Sequence, residues 1–171
     1  MSFRQKRDAL LAKVLTCVPL VGRVWGKLAH IETKTDVPWT PIRKPLRECR
    51  VCLITTGGLH LRNDRPFNME DPAGDPTYRI IPDDACAENL TITHNYYDHR
   101  DADRDFNILL PLGRLREMVR AGLVGGLTSS HYSFMGHIEG QHLATLEERI
   151  LPNLLAGLAV EKPDFVFLTP A

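Results

Sequence analysis

The stretch best suited to chemistry is HNYYDHRDADRDFN, which runs from His94 to Asn107 and holds two histidines and four aspartates. Imidazole and carboxylate groups bind Zn²⁺ and similar ions, so a metal-dependent hydrolase built on the cluster His94–Asp105 is one hypothesis. The histidine spacing does not fit a close ligand pair, and a two-metal site would need ligands from later strands. The alternative is a solvated turn whose aspartates pair with arginines or cap a helix. We predict no metal site, and we keep His94, Asp98 and His99 as candidate catalytic residues.

The segment TTGG closes a strand-like run with two hydroxyls and two glycines. Glycines permit close backbone approach, and successive N–H groups can bind a carboxylate or a phosphate. Neither a G-x-G-x-x-G nor a P-loop pattern is present, so a plain strand-to-loop turn is the alternative. The residues that we predict to bind substrate are Thr55, Thr56, Gly57, Gly58 and His60.

A third candidate is His131, in the segment SSHYSFMGH. A neutral imidazole near pH 7 can orient a substrate or transfer a proton in either direction, so His131 is a candidate catalytic residue. The alternative is a histidine inside the core whose ring nitrogens form hydrogen bonds within the protein. The absence of G-x-S-x-G argues against a Ser–His hydrolase.

The composition excludes several classes of protein. Lys plus Arg and Asp plus Glu each total 21 in 171 residues, so net charge favours neither nucleic acid nor an anionic membrane. Four cysteines are too few for a disulfide scaffold, and CRVC (Cys49–Cys52) leads into a strand, so its thiols are predicted to be buried and structural. No secretory signal is recognisable, and we expect a cytoplasmic protein.

The N-terminal part of the chain predicts an extension to one main domain. Ala9–Leu28 is apolar but is interrupted by charges and by Pro19, so it is too short to span a membrane. An amphipathic helix that packs on the domain is expected there, with a membrane surface or a partner as alternatives. Three prolines between Asp36 and Pro45 predict an extended connector. We therefore divide the chain into an extension over 1–47 and a domain over 48–171.

Strand-like and helix-like segments alternate within the domain. RVCLITT, NLTITHNYY, VGGLTSSHYSF and FVFLT are predicted strands, and the first is apolar enough to be buried on both faces. PLGRLREMVRAG predicts a helix that stops at Gly122, and 139–160 predicts a helix kinked or broken at Pro152. Between them, 60–89 reads as a long loop. This order predicts a small doubly wound (Rossmann-like) α/β domain with a mostly parallel sheet, in which site residues converge where the strands end.

The chain contains, in this order, the segments LITTGGLHL, PFNMEDPAGDPTYRIIP, THNYYDHRDADRDFNILLPLGRLREM and GGLTSSHYSFMGHI. Taken together, these four segments resemble the selenoprotein B family of glycine, sarcosine, betaine and D-proline reductases. The resemblance runs from about Cys49 onward. It implies an oxidoreductase in which a selenolate attacks the α-carbon of a small amino-acid substrate and displaces the amine. It further implies a pyruvoyl-containing partner subunit that activates the amine, and a dithiol or thioredoxin-type reductant that resets the selenium.

In that family the selenocysteine follows a strand of the type FVFLTP, and this chain ends there, at Ala171. Selenocysteine is encoded by UGA, which is ordinarily read as a stop. We therefore expect the nucleophile just after Ala171, no cofactor bound by this chain itself, and no catalytic activity in the chain as given. The alternatives are a non-catalytic interaction or scaffold protein of the same family, and the metal-dependent hydrolase considered above.

Overall fold

The computed structural model describes residues 40–171 and, before them, residues 6, 7, 10, 11, 13, 14 and 18. The chain divides into two compact units: Met1–Arg43 with Asn95–Asp98, and Lys44–His94 with His99–Ala171. We call the second unit the sheet domain. The described positions from 6 to 14 are helical, and most of the predicted N-terminal helix and connector lies outside the described residues. No helix in the described part of the chain is both long and apolar enough to cross a membrane.

The sheet domain alternates short strands with helices. A π-helical segment, Leu146–Ile150, joins the second and third α-helices. Single 3₁₀ turns occur at Leu46–Glu48, Ala87–Asn89 and Phe106–Ile108. The helices are α1 (Leu112–Arg120), α2 (Gln141–Thr145) and α3 (Leu151–Glu161), and the strands are β1 (Arg50–Thr55), β2 (Leu59–Leu61), β3 (Tyr78–Pro82), β4 (Leu90–Ile92), β5 (Gly126–Leu127), β6 (Ser130–Phe134) and β7 (Phe165–Thr169).

The main sheet is built around β1. β7 runs parallel to β1 along Val51–Thr55. On its other side β1 pairs in parallel first with β5, at Arg50 and Val51, and then with β6, at Ile54 and Thr55. β3 pairs antiparallel with β6, and β2 and β4 form a separate antiparallel pair. The predicted α/β fold with a mostly parallel sheet is confirmed.

Helices cover both faces of this sheet. On one face Leu53 of β1 packs in a cluster with Leu112 of α1. On the opposite face Cys52 packs with Leu154 of α3 and with Tyr132 of β6. Successive side chains of a strand point to opposite faces, so a continuous apolar run is what a strand covered on both faces requires. Burial of each large apolar side chain contributes about 1.5–3 kcal/mol to the free energy of unfolding.

The thiols of CRVC are buried and free, as predicted. Burial raises the pKa of the Cys52 thiol, which keeps it in its unreactive protonated form at neutral pH. Its Sγ lies 3.5 Å from the Ser130 carbonyl, inside the sheet.

Both predicted helix boundaries correspond to features of the structure. α1 is capped by Ala121, and Gly122 follows with φ +70°, the left-handed conformation that commonly ends a helix. Pro152 lies in the first turn of α3, directly after the π-helical segment. Proline has no N–H to donate to the preceding turn, so the regular hydrogen-bond ladder is interrupted where the sequence predicts it.

The region predicted as a long loop contains regular structure that the sequence pattern did not indicate. β3 and two of the three residues of β2 lie within 60–89. Both are short, and β3 ends at Pro82, so neither carries a clear alternation. They exist because they pair with distant strands, β2 with β4 and β3 with β6.

The remainder of that region is organised by one carboxylate. Asp75 is buried and accepts hydrogen bonds from the backbone N–H of Asn68 and of Thr77, both at 2.9 Å. Its Oδ2 also lies 3.6 Å from Nη2 of Arg79, whose guanidinium stacks 4.3 Å from the Phe67 ring centroid. A buried carboxylate with these partners holds a proline-rich segment in one conformation.

Candidate functional site

Parallel pairing brings the carboxyl ends of β1, β6 and β7 to one side of the sheet domain. We call this side the carboxyl edge and define it by Thr55–Gly58, Met135–His137 and Thr169–Ala171. In open α/β sheets this is where ligands are usually bound.

Two threonines tie the end of β7 to the end of β1. The Thr55 hydroxyl is buried and donates to the Thr169 carbonyl at 3.1 Å, and the Thr56 N–H donates to the same carbonyl at 3.2 Å. Beyond the strand, the Ala171 N–H donates to Oγ1 of Thr56 at 3.2 Å. The Thr169 hydroxyl in turn donates to the Leu109 carbonyl at 2.5 Å. The last residues of β7 are therefore held against Thr56 by side-chain as well as backbone bonds.

The amides of the TTGG segment are engaged within the protein. Gly57 N–H donates to Oγ1 of Thr55 at 3.2 Å, and Gly58 N–H donates to the Phe134 carbonyl at 2.9 Å. The Thr56 N–H is bound to the Thr169 carbonyl, so the N–H groups of Thr56, Gly57 and Gly58 all have acceptors within the protein. The segment thus has the geometry of a tightly held strand-to-loop turn at the edge, with the Thr56 hydroxyl facing the end of β7.

Two glycines let the backbones at this edge come together. Gly58 has φ +70°, and a Cβ added there would lie 2.5 Å from the Thr93 carbonyl oxygen. Gly136 has φ +92°, and its added Cβ would lie 2.7 Å from the Thr56 carbonyl oxygen. Only glycine combines this conformation with this closeness.

His94 lies at the carboxyl edge, where its imidazole forms a hydrogen bond with the Met135 backbone. Burial, with smaller effects from His99 and His137, lowers the pKa of His94 from 6.5 to about 4. The ring is therefore neutral at pH 7. His99 belongs to the same unit, with Nδ1 2.7 Å from Oδ2 of Asp103. Asp98 belongs to the other unit.

His60 is buried and uses both ring nitrogens. Nδ1 lies 2.7 Å from the Leu61 carbonyl, and Nε2 lies 2.8 Å from Oγ1 of Thr93. The ring also packs edge-on against Phe67. Its position links β2 to the segment that precedes His94.

His131 lies within the sheet, at the level of Ile81 in β3. It is fully buried, and its Nδ1 accepts a hydrogen bond from the Leu53 N–H at 3.1 Å. Its Nε2 is 3.7 Å from Oδ1 of Asp83, and burial lowers the pKa of His131 although Asp83 opposes that effect. The structure thus brings His94 to the carboxyl edge and places His131 deeper in the sheet.

The residues that sequence reasoning missed at this edge are Thr93, Leu109 and Thr169. Thr169 is the last residue of an apolar strand, so the rule that strand ends carry the site could have found it. Thr93 and Leu109 reach the edge through loops, and no local pattern marks them.

The chemistry-bearing groups form no metal site: in the described residues, no three or more His, Cys, Asp and Glu side chains come together to hold a metal ion. Two surface cavities, of about 360 and 470 Å³, lie away from the carboxyl edge. Arg116 in the first donates to the Ala85 carbonyl, and Asp71 in the second binds Nε2 of His142 at 3.0 Å. The Arg116 and Asp71 side chains thus bind other groups of the protein, and we assign the candidate site to the carboxyl edge.

Comparison with known proteins identifies the family. A family model described as glycine/sarcosine/betaine reductase selenoprotein B (GRDB) matches residues 15–166. Similar curated proteins include D-proline reductase subunit gamma of Acetoanaerobium sticklandii, 33% identical over 131 residues that make up 77% of this chain and 52% of that protein. They also include sarcosine reductase complex component B subunit beta of Peptoclostridium acidaminophilum, 29% identical over 78% of this chain and 31% of that protein.

Glycine reductase complex component B subunit gamma of Symbiobacterium thermophilum is 30% identical over 80% of this chain and 32% of that protein. The chain therefore spans between about a third and about half of the length of these relatives. No solved structure matches. The family match covers most of the chain and includes every strand of the sheet domain at least in part, and the chain belongs to the glycine/sarcosine/betaine reductase selenoprotein B family.

Proposed function

We propose that this chain forms the substrate-facing α/β part of a reductase subunit that cleaves the C–N bond of a small amino acid or N-methylated amino acid. Its relatives carry the names of D-proline, sarcosine and glycine reductase components, which supports reductase chemistry on compounds of this size. The geometry that carries the proposal is the bond between Ala171 N–H and Oγ1 of Thr56, because it fixes the direction of the chain beyond β7 at the carboxyl edge.

The nucleophile that we propose is the selenolate of a selenocysteine encoded just after Ala171. The Se–C bond forms at the α-carbon as the C–N bond breaks, and the amine leaves with a proton. One thiol of a dithiol, as a thiolate, then attacks selenium, so that an S–Se bond forms, the Se–C bond breaks and the α-carbon takes up a proton. The second thiol attacks the sulfur of that S–Se bond, which releases the selenolate and leaves the dithiol as a disulfide. A pyruvoyl group on a partner subunit would supply the activation of the amine. A selenol is more acidic than a thiol, so it is ionised at neutral pH without a strong base beside it.

The residues of this chain act mainly by position in this proposal. Thr55 and Thr56 hold the end of β7, and Gly57 and Gly58 keep the edge narrow. His94 is neutral at pH 7, so it offers hydrogen bonds to a substrate without forming an ion pair with the selenolate. Asp98, His99 and His131 stay predictions as catalytic residues, and His60 stays one as a substrate contact.

The proposal is tested on the product of the full reading frame. The nucleotides after the Ala171 codon are read first, and the protein is then produced with selenocysteine if UGA is found, together with a pyruvoyl-containing partner. We expect dithiol oxidation that depends on glycine, sarcosine, betaine or D-proline, and none from the 171-residue chain alone.

A variant with serine at the nucleophile position is the matched control, and it should be inactive. Dithiol oxidation that is unchanged by that serine, or no turnover with any of the four substrates, would overturn the reductase proposal. The second outcome would favour a non-catalytic role within the complex.

A further inference from the structure

The strand β7 forms an edge of the main sheet in the described part of the chain. Its one paired side faces β1, in register from Val51–Phe165 to Thr55–Thr169. No strand among the described residues pairs with its other side. The N–H and C=O groups on that side are therefore available to another strand.

Apolar side chains are exposed on both faces of β7. Val166 packs in the cluster beneath α3, and Leu168, two residues further on the same face, is 67% exposed. Phe167 points to the opposite face and is 47% exposed. An apolar run of this kind is typical of a strand inside a parallel sheet, with cover on both faces.

Two elements that pack on the sheet also carry exposed apolar side chains. Leu155 of α3 is exposed, although Leu154 beside it is buried. Ile108 is also exposed, and it precedes Leu109, whose carbonyl accepts the Thr169 hydroxyl. Exposed apolar side chains therefore also occur in the layers on both faces of the sheet.

The opposite edge of the sheet is formed by β3, and this edge is protected against pairing with a further strand. β3 contains Arg79 and ends at Pro82, two residue types that discourage further pairing. Arg79 donates through Nε to the Arg65 carbonyl and through Nη2 to the Pro66 carbonyl, so the loop organised by Asp75 lies beside β3. The sequence Phe165–Leu168 contains no charged residue and no proline.

We propose that the open side of β7 is an internal interface, which pairs with a further β-strand from the part of the selenoprotein B subunit that lies outside the matched region. The relatives contain that additional polypeptide, since the match covers only 52% of the D-proline reductase subunit and about a third of the others. The family match reaches residue 166, within β7, so this sheet is part of the fold that the relatives share. Addition of a strand would satisfy the backbone groups, and apolar helices beside it would cover Phe167 and Leu168.

This inference rests on family membership and on packing, and not on the proposed reductase chemistry. An inactive relative would need the same cover on β7. A failure of the activity assay would therefore leave it intact, and a failure of the binding experiment below would leave the chemistry untouched.

The experiment measures binding of the polypeptide that a relative contains outside the matched region. The 171-residue chain is co-expressed with the residues of the Acetoanaerobium sticklandii D-proline reductase subunit gamma that lie outside the 131-residue match, produced as separate polypeptides. We expect a one-to-one complex with one of these polypeptides by light scattering after size-exclusion chromatography. Phe167→Lys and Leu168→Lys should each weaken the Kd at least about tenfold, because a charge would be buried in an apolar interface.

The matched control is Ile80→Lys, which changes a strand residue of similar exposure (48%) on the opposite edge. Far-ultraviolet circular dichroism and thermal unfolding check that each variant folds, and exposed positions should tolerate the lysine. Three results would overturn the proposal: a complex insensitive to Phe167→Lys and Leu168→Lys, a monomer that binds neither polypeptide, or a dimer of this chain that Phe167→Lys dissociates while neither polypeptide binds. The last would assign the edge to a second copy.

Discussion

The backbone N–H of Leu53 donates a hydrogen bond to Nδ1 of His131, 3.1 Å away, in the middle of the sheet. β1 pairs with β5 up to Val51 and with β6 from Ile54, so Leu53 lies where one neighbouring strand gives way to the next. The imidazole bridges that gap. Because Nδ1 accepts, the neutral ring carries its hydrogen on Nε2, which points towards Oδ1 of Asp83 at 3.7 Å.

Replacement of His131 should therefore destabilise the sheet domain. His131→Ala removes a buried side chain and leaves the Leu53 N–H without its acceptor, so we expect a loss of about 2–4 kcal/mol in the free energy of unfolding. His131→Asn can place an amide oxygen near the position of Nδ1 and should lose less. Urea unfolding measures both, and equal losses for the two variants would contradict the bridging role.

Acid should destabilise the domain through His94. The pKa of His94 is lowered from 6.5 to about 4 by burial, so the unfolded chain takes up a proton at a higher pH than the folded chain does. The associated stability is complete above about pH 6.5 and is lost as the pH falls towards 4, by about 2 kcal/mol between pH 7 and pH 5. Thermal unfolding of the parent and of His94→Asn across this range measures it, and parallel pH profiles for the two proteins would count against the assignment.

Gly136 should be much less tolerant of substitution than Gly122. Both have positive φ, but an added Cβ meets the Thr56 carbonyl at 2.7 Å in the first case and nothing within 4 Å in the second. Gly122→Ala should cost about 1 kcal/mol for the backbone conformation alone, whereas Gly136→Ala should cost at least about 2 kcal/mol. Chemical denaturation compares them, and equal costs would show that the carboxyl edge can open without penalty.

Asp75→Ala should loosen the segment that lies beside β3. The change removes the acceptor for Asn68 N–H and Thr77 N–H and leaves both donors unsatisfied, so we expect a loss of about 2–3 kcal/mol. Limited proteolysis within 65–77 should become faster. Asp64→Ala, in the same region and more exposed, is the control and should change stability by no more than about 0.5 kcal/mol; cleavage at the same rate in both variants would refute this role of Asp75.

The sequence pattern predicts the elements that depend on the hydrophobicity and backbone chemistry of neighbouring residues. The apolar run of β1 predicts a strand covered on both faces, and the run of β7 predicts a strand. Gly122 and Pro152 mark helix boundaries because of their own backbone chemistry. β3 was missed because its pairing partner Tyr132 lies 52 residues from Ile80, and no local alternation compensates for the proline at its end. The segment predicted as one strand, VGGLTSSHYSF, is divided into β5 and β6 because Thr128 bonds to the Val51 and Ser130 carbonyls.

The sequence predicts only those residues of the candidate site that directly follow a recognisable strand. Thr55–Gly58 follow a recognisable strand, and they lie at the carboxyl edge as the pattern predicts. His131 also lies in a strand, but the direction of its side chain depends on the register of β6 against β1 and β3, which no local pattern contains. The shift in the pKa of His94 depends likewise on burial by distant segments.

The position of β1 also determines when this protein can complete its sheet during synthesis. β1 is made early, yet the contacts between Thr55 and Thr169 join residues 114 positions apart. At about 5–20 residues per second, β1 leaves the ribosome roughly 6–23 s before β7 is available to pair with it. During that interval the apolar strand Arg50–Thr55 lacks its contact with β7. The nascent chain should therefore bind the chaperones that recognise exposed apolar segments.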